Sequence, residues 1–134
     1  MSQSRLARAL LAFLTLAAAL PLLAQTAAPA ATPAFPYGRY TLQAIDPAHA
    51  PPAGLVLEFT ASALKVSSGG QEVESHGMAV DGATWEVFDL DGRCTEPGDY
   101  HWHLDGRVLW MELVSDPCED RARSITSMRF LPAE

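Results

Sequence analysis

Asp99, His101 and His103 alternate along one run of the chain, and on an extended strand that spacing puts all three side chains on one face. Two imidazoles and a carboxylate are a donor set that can hold zinc and leave one position open, with Glu112 across a hairpin from Asp99. Asp89-Leu90-Asp91-Gly92 has the opening of a calcium loop, with Glu96 and Asp99 downstream. It lacks the third spaced ligand before the glycine and a correctly placed terminal glutamate. The only two cysteines, Cys94 and Cys118, lie too far apart for a redox motif and read as one disulfide. Closing a loop of that length stabilises a domain by about 3–4 kcal/mol in the chain-entropy view. No serine has the glycine context of a nucleophile elbow, no loop is built to cradle phosphate, and a paired cysteine is no nucleophile. The chain therefore reads as neither an enzyme nor a cofactor or metal carrier. The Asp99, His101 and His103 face reads as solvated, the Asp89 turn as a loop with solvated carboxylates, and His49 and His76 have no recognisable partners.

Positioning these residues falls to a series of short strands. Strand-like runs bounded by turn residues cover 37–45, 54–60, 63–67, 71–80, 83–90, 99–104, 107–115 and 124–131. Gly69-Gly70, Asp81-Gly82 and Asp105-Gly106 are hairpin dipeptides, because glycine and aspartate reach the positive φ that tight turns demand. Consecutive strands joined this way predict an all-β fold, an eight-stranded antiparallel up-and-down barrel, with a two-sheet sandwich as the alternative. One short helix precedes the last strand: Asp116 is placed to N-cap it, Pro117 fits its first position, and Glu119 completes a capping box, with the helix running to Arg123. The proline-stiffened loop 46–53 is long enough to cover a barrel mouth.

A two-residue turn at Asp105-Gly106 pairs Leu104 with Arg107, Trp102 with Leu109 and Tyr100 with Met111. Tyr100, Trp102, Leu104, Leu109, Met111 and Leu113 then share an apolar face that points inward, while Asp99, His101, His103, Val108, Trp110 and Glu112 point out. The Gly69-Gly70 turn pairs Val66 with Val73, and a bulge at Gly77 is needed to bring Met78 and Val80 back into phase. Trp85, Tyr100, Trp102 and Met111 are candidates to line a ligand cavity. The equal alternative is a filled core, since an eight-stranded barrel is only just wide enough for its own side chains.

Residues 1–24 have the order of a secretory signal peptide: Arg5 and Arg8, an apolar stretch from Ala9 to Ala19, Pro21, and a cleavable Leu22-Leu23-Ala24. The apolar stretch is short of the roughly 20 residues a membrane span needs, so no stable membrane anchor is expected and the protein reads as periplasmic or secreted. Residues 25–36 form an Ala/Pro-rich linker, leaving 37–134 as one domain. Loss of Arg5 and Arg8 with the leader takes the nine basic residues to seven against sixteen acidic ones, a net charge of −9. A nucleic-acid partner is excluded, since displacing phosphate counterions needs a cationic surface.

The pattern Gly98-x-Tyr100-x-Trp102, then Asp105-Gly106-x-x-Leu109, then Asp116-x-Cys118-x-x-Arg121 resembles secreted bacterial lipocalin-like proteins of the calycin type. Gly38-Arg39-Tyr40 stands where lipocalins carry Gly-x-Trp on the first strand, with tyrosine in place of tryptophan. The resemblance implies that Arg121 or Arg129 stacks on Tyr40 to close one barrel end, a cation–π contact. It also implies binding of a small, largely apolar molecule at the barrel mouth or interior. The alternative is a periplasmic protein-interaction module, such as a hydrolase inhibitor, whose rigid disulfide-linked loops lose little entropy on binding. A third reading uses Asp99, His101 and His103 for metal or catalysis.

Overall fold

The computed structural model describes residues 28–134 apart from 32 and 91; the leader 1–24 and residues 25–27 of the linker lie outside the described residues. The compact unit Ala31–Glu134 is a closed antiparallel barrel. Its strands follow chain order: β1 Gly38–Ala44, β2 Leu55–Phe59, β3 Ala63–Ser68, β4 Gln71–Asp81, β5 Thr84–Asp89, β6 Gly98–Asp105, β7 Val108–Ser115 and β8 Met128–Pro132. A single α-helix, α1 (Glu119–Thr126), links β7 to β8, and a short 3-10 turn occupies Pro47–His49. Among the described residues no helix is long and apolar enough to cross a membrane.

Closure comes from β1 pairing with β8, from Tyr40 opposite Pro132 to Ala44 opposite Met128. The thinnest seam is β7 to β8, which share only the Leu109–Phe130 pair, and α1 packs against β7 beside it. The β3–β4 hairpin turns at Gly69-Gly70 as the dipeptide suggests, while the β4–β5 and β6–β7 hairpins turn one residue further along. The β6–β7 turn is Gly106-Arg107, flanked by Asp105 opposite Val108, so Trp102 faces Met111 and Tyr100 faces Leu113. Moving the turn by one residue shifts the pairing by two, and a two-residue shift keeps every side chain on its predicted face. Tyr100, Trp102, Leu109 and Met111 are accordingly buried. Leu104 and Leu113 are not: at the ends of their strands they are 39% and 47% exposed, because the period that sends them inward carries them beyond the packed part of the barrel.

The bulge expected at Gly77 lies instead at Val73. Ser67 pairs with Glu72 and Val66 with Glu74, leaving Val73 as the extra, exposed residue. Gly77 has another reason to be glycine, for a Cβ there would overlap the Phe88 ring. The bulge returns Glu74 and His76 to the inward face, opposite Val66 and Leu64.

The helix begins later than predicted, with Cys118 at its N-cap and no side-chain cap. Asp116 accepts a hydrogen bond from the Cys118 N–H at 2.8 Å through the same carboxylate oxygen that Arg121 Nη2 donates to. Phe35, at the end of the tract read as a linker, is 6% exposed and packs edge-on against Phe59 and Trp102 at centroid distances of 5.6 and 5.5 Å. The Tyr40 hydroxyl fastens this segment by donating to the Pro36 carbonyl at 2.6 Å. The folded unit thus takes in the last residues of the predicted linker.

Candidate functional site: a half-filled barrel with a charged wall

Inward-facing rings fill the end of the barrel that carries the β4–β5 and β6–β7 turns. Phe59 is their hub, meeting Phe35, Tyr40, Trp85 and Phe130 edge-on at 5.5–5.8 Å. Trp102 is buried beside Phe35 and donates its indole N–H to the Gly82 carbonyl at 2.9 Å. This half is a solid core.

The other half is open. A cavity of about 770 Å³ rises from Phe59, Trp85 and Phe130, within the size range of small-molecule sites. Its lower walls are apolar, with Leu42, Leu57, Leu64, Val66 and Val87. The rim is built by Pro51 and Pro52 of the 46–53 loop, Arg93 and Cys94 of the β5–β6 loop, and Ile125 of α1. Of the four candidate ligand-lining residues only Trp85 borders the cavity. Tyr100, Trp102 and Met111 lie in the packed half, where they support the floor. Alternation along a strand sorts inside from outside and is silent about depth.

One wall is charged, and its residues share faces with apolar neighbours: Glu74 and His76 with Met78, Asp89 with Trp85 and Val87. Asp116 is its anchor. Its side chain is 0% exposed and takes hydrogen bonds from Arg121 Nε and Nη2, each at 2.8 Å, and from the Tyr100 hydroxyl. Arg121 also donates to the Glu96 carbonyl at 2.8 Å and lies 3.6 Å from Asp89. Asp89 accepts from His76 Nδ1 at 2.8 Å, and His76 Nε2 is 3.3 Å from Glu74. Arg93 approaches Glu74 at 3.7 Å. Burial on its own would push the Asp116 carboxyl up. Hydrogen bonds from Arg121, Tyr100 and the Cys118 N–H, with the Arg121 charge, outweigh burial and hold it below the usual carboxylate range. The Tyr100 hydroxyl is driven well above its ordinary value, by burial first and then by the anion it donates to.

These contacts correct two expectations. His76 is partnered on both nitrogens, and His49 bonds to Asp46 at 3.2 Å. Arg121 does not stack on Tyr40, since its guanidinium is held by Asp116 and the β5–β6 loop. Nor does Arg129, which lies 5.0 Å over the Trp110 ring on the outer face. Tyr40 packs on Phe59 instead. The helix, β7 and the β5–β6 loop are joined by the Cys94–Cys118 disulfide, with Cα atoms 6.0 Å apart, at the cavity rim.

On the outside, His103 stacks on Trp110 at 4.1 Å and bonds to Glu112 at 2.9 Å, while His101 is exposed opposite Glu112. Among the described residues no group of three or more His, Cys, Asp or Glu side chains is arranged to hold a metal ion. The calcium-like turn includes Asp91, which lies outside the described residues, and its Asp89 is engaged by His76 and Arg121. Compared with known proteins, the chain matches no family model, no curated protein and no solved structure.

Proposed function

We propose that this protein is an exported, lipocalin-like barrel that holds a small, largely apolar molecule in its open half, with polar groups of that molecule turned toward the charged wall. The observation that carries the reading is the cavity of about 770 Å³, apolar below and lined by Glu74, His76, Asp89 and Arg121 above. Apolar walls supply affinity in proportion to area removed from water, and a few fixed polar groups orient the occupant. Export is supported by the leader-like order of residues 1–24 and by the disulfide, which suits an oxidising compartment. The kinship with lipocalin-like proteins rests on the Gly98 to Arg121 pattern and the barrel shape. The rival reading, a protein-interaction module, calls for a solid interior and an apolar loop patch, and the half-open interior favours ligand binding.

Native mass spectrometry of protein purified from its own host should show a retained small molecule. A neutral fluorescent apolar probe, N-phenyl-1-naphthylamine, should bind saturably with one-to-one stoichiometry. Val66→Phe, which places a ring in the cavity, should weaken probe binding at least tenfold while the far-ultraviolet spectrum stays unchanged. Saturable binding that is indifferent to Val66→Phe, or no binding at all, would refute the proposal.

A further inference from the structure

Every tryptophan and tyrosine polar atom in the packed half has a partner except one. Trp102 donates to Gly82, Tyr40 to Pro36 and Tyr100 to Asp116. The Trp85 indole N–H is buried and has none, and it is the only buried side-chain polar atom among the described residues in that condition. Buried donors in folded proteins are satisfied almost without exception, so an orphan in a native core calls for a cause. Packing alone supplies none: Trp85 meets Phe59 and Tyr100 at 5.8 and 5.4 Å, contacts that a phenylalanine would make without burying a donor. Its location supplies one. Trp85 is a floor residue of the cavity, at the level where the ring-filled half gives way to open space.

We infer that the molecule held in the barrel enters with a neutral oxygen foremost (a carbonyl, ether or hydroxyl) and that Trp85 donates its indole N–H to that oxygen. The inference rests on the ligand-binding reading above and adds the chemical class of the occupant. The N–H itself is enclosed among its neighbours, so the proposed bond requires the indole to tilt toward the cavity to meet the acceptor. A neutral acceptor is specified because the floor holds no cation. Phe59, Val87 and Phe130 line the cavity with Trp85, and the guanidinium of Arg121 on the charged wall is bound to Asp116. An ionised carboxylate driven to that depth would lose its hydration with nothing to replace it.

The test uses nitrogen-15-labelled protein, whose three indole N–H signals are assigned by Trp→Phe variants, titrated with decane and with 2-decanone. Both should shift signals of cavity residues, and only 2-decanone should move the Trp85 indole proton, downfield. The ratio of the 2-decanone to the decane affinity should fall about tenfold in Trp85→Phe, equivalent to about 1.4 kcal/mol. Taking the ratio in both proteins cancels the difference in hydration of the two probes. Binding of both probes with an unmoved Trp85 signal and an unchanged ratio overturns this inference and leaves the ligand-binding reading intact. A resident water that stays on Trp85 Nε1 when 2-decanone is bound overturns it as well. If neither probe binds, the ligand-binding reading fails and this inference with it. The wild-type indole signal decides the matter even if Trp85→Phe folds poorly.

Discussion

Asp116→Asn is the sharpest perturbation of this barrel. The substitution keeps the shape of the side chain and removes the charge that holds Arg121 and receives the Tyr100 hydroxyl. The side chains of Asp116 and Arg121 are 0% and 9% exposed, so the paired charges are shielded from water and the loss is not the near-zero value of a surface ion pair. Breaking a buried pair by removing one partner costs about 3–5 kcal/mol. Arg121 keeps the Glu96 carbonyl and the Asp89 charge at 3.6 Å, which places the expected loss near the lower end, about 3 kcal/mol. For a domain of this size that is a fall in Tm of about 12 °C or more. The pH dependence has a definite sign. The Asp116 carboxyl is held below its ordinary value in the folded protein, so its contribution is complete above the unfolded value of about 3.9 and is lost as pH falls through the folded one. Urea melts of the wild type and Asp116→Asn should therefore differ by a constant amount from pH 7 down to about pH 4, and the gap should narrow below that. A loss under about 1 kcal/mol at pH 7, or a gap that widens on acidification, would show that the network does not anchor the barrel.

Four further outcomes follow. Replacing Cys94 and Cys118 together by serine should destabilise the fold by about 3.5 kcal/mol in guanidinium melts, from a closed loop with a sequence separation of 24, while the strand signature in circular dichroism is kept. Trp102→Ala should cost about 3–5 kcal/mol and Trp110→Ala about 1 kcal/mol, because Trp102 is a core ring and Trp110 an outer one held by His103 and Arg129; equal losses would reverse the assignment of faces. Phe35→Ala should cost about 3 kcal/mol in the same melts, and a negligible loss would return this segment to the linker. Gly98→Ala should destabilise to the same degree as Asp116→Asn and add little to it in the double variant, since a Cβ at Gly98 would overlap the Asp116 carboxylate.

The motif on which the lipocalin resemblance rests is explained by that same network. Gly98 leaves room for Asp116, Tyr100 donates to it, Arg121 clamps it, and Cys118 both caps the helix and ties it to the β5–β6 loop. Trp102, on the same strand, is held by Gly82. None of these groups needs a ligand. Their spacing is that of a device for fixing α1 and the β5–β6 loop at one end of a barrel, which is why it is visible in a sequence while the occupant of the barrel is not.

Strand number, order and the two faces of most strands were legible because turn dipeptides and period-two alternation are local signals that a pairing shift of two residues does not disturb. In β4 the bulge at Val73, rather than at Gly77, reverses the faces expected for the residues between them. Depth was not legible. Tyr100, Trp102 and Met111 have the same alternation as Trp85, yet of the four only Trp85 borders the cavity. The boundary between the ring-filled and open halves is set by Phe59 and Phe130 from other strands, and no single strand's pattern contains it. The charged wall was closer to hand: Asp89 keeps the parity of Trp85 and Val87, and Glu74 and His76 keep that of Met78 and Val80. A run that alternates apolar residues on its inward face and then changes to Asp, Glu or His on that face, near one strand end, is marking a mouth. In a barrel whose other end is filled with rings, that change of character is the signal from which a binding site can be read.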